Sequence, residues 1–266
     1  MLRDITLGQY YPGNSLIHRL DPRVKIIATF VFIIALFIAH DYIGFLICAA
    51  CLMVTVAASS VPLSFILRGL KPIFIIILLT LVLNLFLTGG EPVFKLGFLA
   101  VTREGIDRAA FLVIRIMMII IGSSVLTLTT KPISLTDGIE YLLKPLKVFK
   151  VPAHELAMMM GIALRFIPTL LEETDKIMKA QMARGADFES GNIIRRGKSL
   201  VPILVPLFIG AFRIAQDLAM AMESRCYRGG EHRTRLHAMK ILKKDVAGIL
   251  CTAVFLGVII AEATML

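Results

Sequence analysis

Several stretches of this chain carry residue types that could do chemistry. Cys48-Ala-Ala-Cys51 has the spacing of a redox dithiol. It lies inside an apolar run with no helix start before it, so nothing there stabilises a thiolate. It reads instead as small residues within a span. His154-Glu155 opens like an H-E-x-x-H zinc site, but Met158 stands where the second ligand belongs. Gly191 to Ser199 resembles a phosphate-binding loop. Five residues separate its glycines, Gly191 and Gly197, where the motif needs four, and no buried strand precedes it. No Gly-x-Ser-x-Gly run offers a serine nucleophile, and no Cys/His cluster suggests a metal. The chain reads as non-catalytic, with no cofactor and no metal.

Two arginines remain. Ala183-Arg184-Gly185 is echoed 41 positions later by Ser224-Arg225-Cys226, and each copy ends a long segment of helical apolar spacing. An arginine near a helix C-terminus complements the helix dipole. Two copies at equivalent ends, each flanked by small residues, point further. They would let a guanidinium fork enter a narrow acidic groove and bond bidentately.

The elements that position these arginines follow from composition. Hydrophobic residues make up 57% of the 266 positions and charged residues 18%, with mean hydropathy +0.82. A soluble domain carries about 25% charged residues, so the chain reads as an integral membrane protein. The net charge of +10 fits the positive-inside bias. It is spread over many loops rather than gathered for nucleic acid, which is not expected as a partner.

Polar residues fill the first 25 positions. Asp21-Pro22 marks a helix start, and Arg19, Arg23 and Lys25 place that end in the cytoplasm. Apolar runs at 26–39, 42–58, 72–87, 109–128 and 246–263 read as five spans, with the N-terminus inside and the C-terminus outside. The 88–108 loop is outside, although it carries Lys95 and Arg103. Arg115, inside the fourth run, snorkels, pairs structurally or lines a transport path.

Between the spans lies 131–245, which holds 19 of the 29 basic residues. Three helices are expected there, over 134–148, 152–187 and 193–227, with Pro168, Pro202 and Pro206 bending the long ones. In both long helices apolar residues crowd the first half and charges the end. The organisation is thus 1–130 with four spans, 131–245 as a cytoplasmic domain, and 246–266 as a final span. A sixth crossing through Pro202–Phe212 is the alternative. The basic run His232–Lys244 suits an anionic cytoplasmic surface.

Gly161, Ala163 and Leu164, with Phe208, Gly210 and Ala211, put small or apolar residues in the apolar halves of the two long helices. Small residues allow close backbone approach. Either these helices cross each other there or a partner helix packs on the same face.

Three stretches carry a resemblance: Tyr11-Pro12-Gly13-x-Ser15 with His18-Arg19-Leu20-Asp21-Pro22-Arg23-x-Lys25; Leu135-Thr136-Asp137-Gly138-Ile139-Glu140 with Leu143-Lys144-Pro145-Leu146; and the paired arginine triplets. Together they resemble the transmembrane T component of energy-coupling factor (ECF) transporters, a branch of ABC importers. The family's usual triplet is Ala-Arg-Gly in both copies; here the second reads Ser224-Arg225-Cys226. The resemblance implies an all-α membrane protein of the prokaryotic plasma membrane, with about five transmembrane helices and a three-helix coupling domain in which two long helices cross. It implies two ABC-type ATPase subunits as partners, one meeting Arg184 and one Arg225. It also implies a membrane-embedded S component that binds vitamins or similar micronutrients. A self-contained channel or secondary transporter is the competing reading. It would call for charges or broken spans near the midplane, and apart from Arg115 the spans offer few.

Overall fold

The computed structural model describes residues 10–89, 92–96, 99–186, 188, 197–198, 200–229 and 241–265. Its helices are α1 Pro22–Ile38, α2 Tyr42–Ser59, α3 Leu63–Arg68, α4 Phe74–Leu87, α5 Arg103–Thr129, α6 Pro132–Leu143, α7 Ala153–Ala183, α8 Val201–Ser224 and α9 Lys243–Met265. A short antiparallel hairpin, β1 Pro92–Leu96 and β2 Leu99–Thr102, joins α4 to α5.

Among the described residues, six helical segments are long and apolar enough to cross a bilayer, in keeping with an all-α multi-pass membrane protein. Four of them, α2, α3 continued into α4, α5 and α9, have mean hydropathy 2.2 to 2.3. The other two are α7 at 1.2 and α8 at 1.6. The expected set of five differs at both margins. Helix α1 has 17 residues, about 26 Å of rise against a core of about 30 Å. Helices α7 and α8 qualify because their charges gather toward one end and leave an apolar window.

The chain divides into two compact units. Of the described residues, one comprises those from 10 to 138 with 241–265, the other those from 139 to 229. In the first, α5 is the hub on which α1, α2, α3 and α4 pack, and α9 packs on α1 and α2. Phe32, Leu36, Phe45, Cys48, Met118 and Ile259 meet in its main core. Gly122 of α5 makes room for α1. A Cβ there would stand 3.0 Å from Phe32 Cε1.

The residues before α1 are locked in place. Tyr11 N–H donates to the Leu128 carbonyl at 2.9 Å. His18 Nε2–H donates to the Tyr11 carbonyl (3.0 Å), and Nδ1 accepts from the Ser15 hydroxyl (2.7 Å). Gly13 faces this ring so closely that a Cβ would lie 2.8 Å from His18 Cε1. Asp21 caps α1 by accepting from Arg23 N–H, with Pro22 in the first turn, as the sequence indicates. The buried Lys25 ammonium donates to the Thr129 carbonyl at 2.9 Å, pinning α1 to the end of α5.

The opposite terminus closes on the same point. Asp245, 1% exposed, accepts from Asp21 N–H at 2.8 Å and from Leu242 N–H at 2.7 Å. One carboxylate therefore ties the starts of α1 and α9.

Arg115 is engaged structurally. Its Nη2 donates to the Ala39 carbonyl at 3.1 Å, and its guanidinium lies 5.4 Å from the ring centres of both Phe37 and Phe45. This joins α5 to the turn between α1 and α2.

Candidate coupling surface

Helix α7 runs 31 residues and ends at Ala183. Its termination is a Schellman motif. Arg184 is the C-cap, with φ −88° and ψ 6°. Gly185 follows with φ +88°. Gly185 N–H donates to the Met182 carbonyl and Ala186 N–H to the Gln181 carbonyl, both at 3.0 Å. Two carbonyls that the helix end would leave open are satisfied this way.

Helix α8 ends by the same device. Arg225 is the C-cap, with φ −91° and ψ 14°. Cys226 takes φ +57°. Cys226 N–H donates to the Glu223 carbonyl at 2.8 Å, and Tyr227 N–H to the Met222 carbonyl at 3.0 Å. The repeated triplet therefore encodes a repeated geometry: a small last helical residue, an arginine at the cap, and a left-handed residue that turns the chain away. Both arginines are exposed. Neither has an ion-pair partner among the described residues. Each guanidinium projects from a rigid tip in the negative field of a helix C-terminus.

The two tips lie far apart. Gln181, one turn before Arg184, donates through Nε2 to the Pro202 carbonyl at 3.3 Å. The end of α7 thus meets the beginning of α8, where Ile203 is buried. Arg225 stands at the other end of a 24-residue helix, about 36 Å long.

The small-residue surface is placed differently from the tips. A Cβ at Gly161 or Gly210 would meet no atom within 4 Å. These glycines therefore do not form the contact between α7 and α8. Ala163 is exposed, Leu164 and Ala211 are half-buried, and Phe208 is 61% exposed. Their apolar surface is open on this chain.

The other sequence candidates resolve locally. His154 Nδ1 meets Glu140 Oε1 at 3.1 Å, binding the first turn of α7 to α6. Cys48 is buried in the α2 core and Cys51 half-buried one turn on. Most of the Gly191–Ser199 run and of the basic run His232–Lys244 lies outside the described residues. Sequence reasoning missed the Asp245 carboxylate and the Gln181–Pro202 contact. Asp245 did leave a signal: an acidic residue three places into a helix start is the reciprocal half of a capping box.

Comparison with known proteins agrees with this architecture. The CbiQ family model, described as cobalt transport protein, matches residues 13–236. A protein of Thermosediminibacter oceani named energy-coupling factor transporter transmembrane protein EcfT is 59% identical over 251 residues, covering 94% of this chain and 95% of that one. The EcfT protein of Clostridium kluyveri is 58% identical, covering 96% and 95%. That of Bacillus subtilis is 48% identical, covering 94% of each. With a model matched over most of its length and relatives aligned almost end to end, the chain belongs to the CbiQ/EcfT family of transmembrane transport proteins.

Proposed function

We propose that this chain is the energy-coupling subunit of an ECF transporter, joining ATP hydrolysis on two ABC-type ATPase subunits to uptake through a separate S component. The observation that carries the reading is the pair of arginines, each held at a Schellman cap on the tip of a long helix. Such a tip is stiff, exposed and cationic. A groove on an ATPase that offers a carboxylate would bind it bidentately, and a charge-assisted fork of that kind transmits force as well as holding. Because α8 is about 36 Å long and starts beside the end of α7, each arginine meets a different ATPase. The chain itself hydrolyses nothing.

The segment 131–245 is the coupling domain on the cytoplasmic side of the prokaryotic plasma membrane, and the N-terminus is cytoplasmic. Helix α7 carries Glu172, Glu173, Asp175, Lys176 and Lys179 in its second half, which suits water better than lipid. The open positions Gly161, Ala163 and Leu164 on α7 and Phe208, Gly210 and Ala211 on α8 take the S component, a helix-on-helix contact of the kind that small residues favour in membranes. The specificity for a vitamin or similar micronutrient belongs to that partner.

Co-purification tests the reading. The tagged full-length chain, extracted in mild detergent from its own membranes, should bring down two ATPase subunits and a small apolar membrane protein. Uptake by the chain reconstituted alone, without ATP, would instead mark a self-contained transporter.

A further inference from the structure

Between α6 and α7 the chain makes a 3-10 turn over Lys144–Phe149, and its composition is unusual for a surface connection. The residues read Lys144-Pro145-Leu146-Lys147-Val148-Phe149-Lys150. A 3-10 helix has three residues per turn, so positions i and i+3 eclipse. That period sorts the seven residues into rows. Lys144 and Lys147 form one row, continued by Lys150 at the C-cap; Pro145 and Val148 form the second, Leu146 and Phe149 the third. The turn is therefore cationic along one edge and apolar along the other two.

The apolar rows find no cover in the fold. Val148 is 86% exposed and Phe149 79%. Two adjacent large apolar side chains that open are not the surface a chain presents to water. The lysine row is exposed as well. Lys144 lies over the Tyr141 ring at 5.3 Å, and neither Lys144 nor Lys150 has a carboxylate partner among the described residues. Lys150 closes the turn in the left-handed region, φ +60°. Two bonds fix the end of the turn: Lys150 N–H to the Lys147 carbonyl at 2.9 Å and Val151 N–H to the Leu146 carbonyl at 3.4 Å. The apolar rows are thus presented by a fixed backbone.

We infer that the Lys144–Lys150 turn is a membrane-interface anchor that takes anionic phospholipid, with Val148 and Phe149 entering the acyl boundary and Lys144 and Lys150 pairing with headgroup phosphates. Charge complementarity selects the occupant. An apolar wedge flanked by lysines matches a layer that is hydrocarbon just below and anionic just above. The tether agrees: only α6, with a rise of about 18 Å, separates this turn from the end of α5, an apolar span. The anchor would hold the start of α7 against the bilayer and so give its arginine tip a fixed base.

The chain contains no tryptophan, so Phe149→Trp introduces a single reporter. Full-length protein carrying it is reconstituted in vesicles of phosphatidylcholine alone, or of phosphatidylcholine with phosphatidylglycerol, each with and without brominated acyl chains. The expected result is a blue-shifted emission quenched by shallow-brominated lipid and shielded from aqueous acrylamide. Quenching should be stronger with phosphatidylglycerol. The double variant Lys144→Gln, Lys150→Gln in the same background should lose that dependence. Emission of a water-exposed indole, quenched by acrylamide and not by bromolipid, overturns the inference. So does bromolipid quenching that ignores both phosphatidylglycerol and the lysines, or shielding that appears only when partner subunits are added. If Phe149→Trp does not reconstitute, Val148→Trp, at the more exposed neighbour, reads the same quantities.

Discussion

Gly185 and Cys226 occupy the same place in two helices. Each is the left-handed residue directly after a capping arginine, at φ +88° and +57°, and each donates its N–H to the carbonyl three residues before it. Only the first has the residue type that visits this conformation without steric cost. The second copy of the triplet keeps the geometry at the expense of a Cβ pressed toward the following carbonyl.

Cys226→Gly should therefore tighten the end of α8. Relief of the left-handed strain, less the added freedom of glycine in the unfolded chain, comes to about 0.5–1 kcal/mol. Amide exchange at Cys226 and Tyr227 should slow by about two- to fivefold. Gly185→Ala should do the opposite at the end of α7, speeding exchange at Ala186 by a similar factor. Equal exchange in all three proteins would contradict the strain assignment.

Arg184→Ala and Arg225→Ala should each abolish coupled uptake without loss of membrane insertion. A desolvated charge pair broken on one side costs about 3 kcal/mol, roughly a hundredfold in binding. The measure is ATPase co-purification together with substrate uptake. Arg→Lys keeps the charge and loses the fork, so it should restore only part of either signal. Normal uptake in the double alanine variant would remove the two tips from the mechanism.

Asp245→Ala should destabilise the membrane unit by about 3 kcal/mol, because the N–H groups of Asp21 and Leu242 lose a charged acceptor. Asp245→Asn keeps one carbonyl oxygen and should cost about half as much. Thermal unfolding in detergent reads both. A variant that melts with the wild type would show that the two termini do not depend on this carboxylate.

Gly122→Val should also destabilise, by about 1–3 kcal/mol, as the added carbons overlap the Phe32 ring. Phe32→Leu in the same chain makes room and should recover part of the loss. Strict additivity of the two substitutions would argue against a direct contact between them.

The spans were legible because an apolar run in a bilayer has few alternative readings. The run read as 42–58 becomes α2 at Tyr42–Ser59, and that at 246–263 becomes α9 at Lys243–Met265. Where the ends move, a local cap is responsible. Helix α5 begins at Arg103 rather than 109, since the Thr102 hydroxyl accepts from Gly105 N–H at 3.1 Å, and hydropathy does not register a cap. Helix α6 stops at Leu143 rather than reaching 148, because Pro145 has no N–H to give to the Tyr141 carbonyl and its ring crowds that oxygen. The paired arginine triplets were visible as a repeat. Their shared Schellman geometry was not, for it depends on backbone angles. Nor was the bond between Asp245 and Asp21, 224 residues apart, since one chain gives no sign of which distant polar groups will meet. Gly161 and Gly210 show the limit of small-residue reasoning. Such residues mark where a helix can be approached, and here no described residue of the chain approaches them.

The Gln181–Pro202 contact sets a mechanical ratio. Helix α8 touches α7 near its first turn and carries Arg225 at its last, so any rotation about that contact would act through the full length of the helix. A swing of about 5° at the Pro202 pivot carries the Arg225 tip through about 3 Å, by the length of the helix alone. Arg184, one turn from the same contact, would be displaced far less by that rotation. The two arginines are alike in sequence and in cap geometry, yet one stands at the fulcrum and the other at the end of the arm.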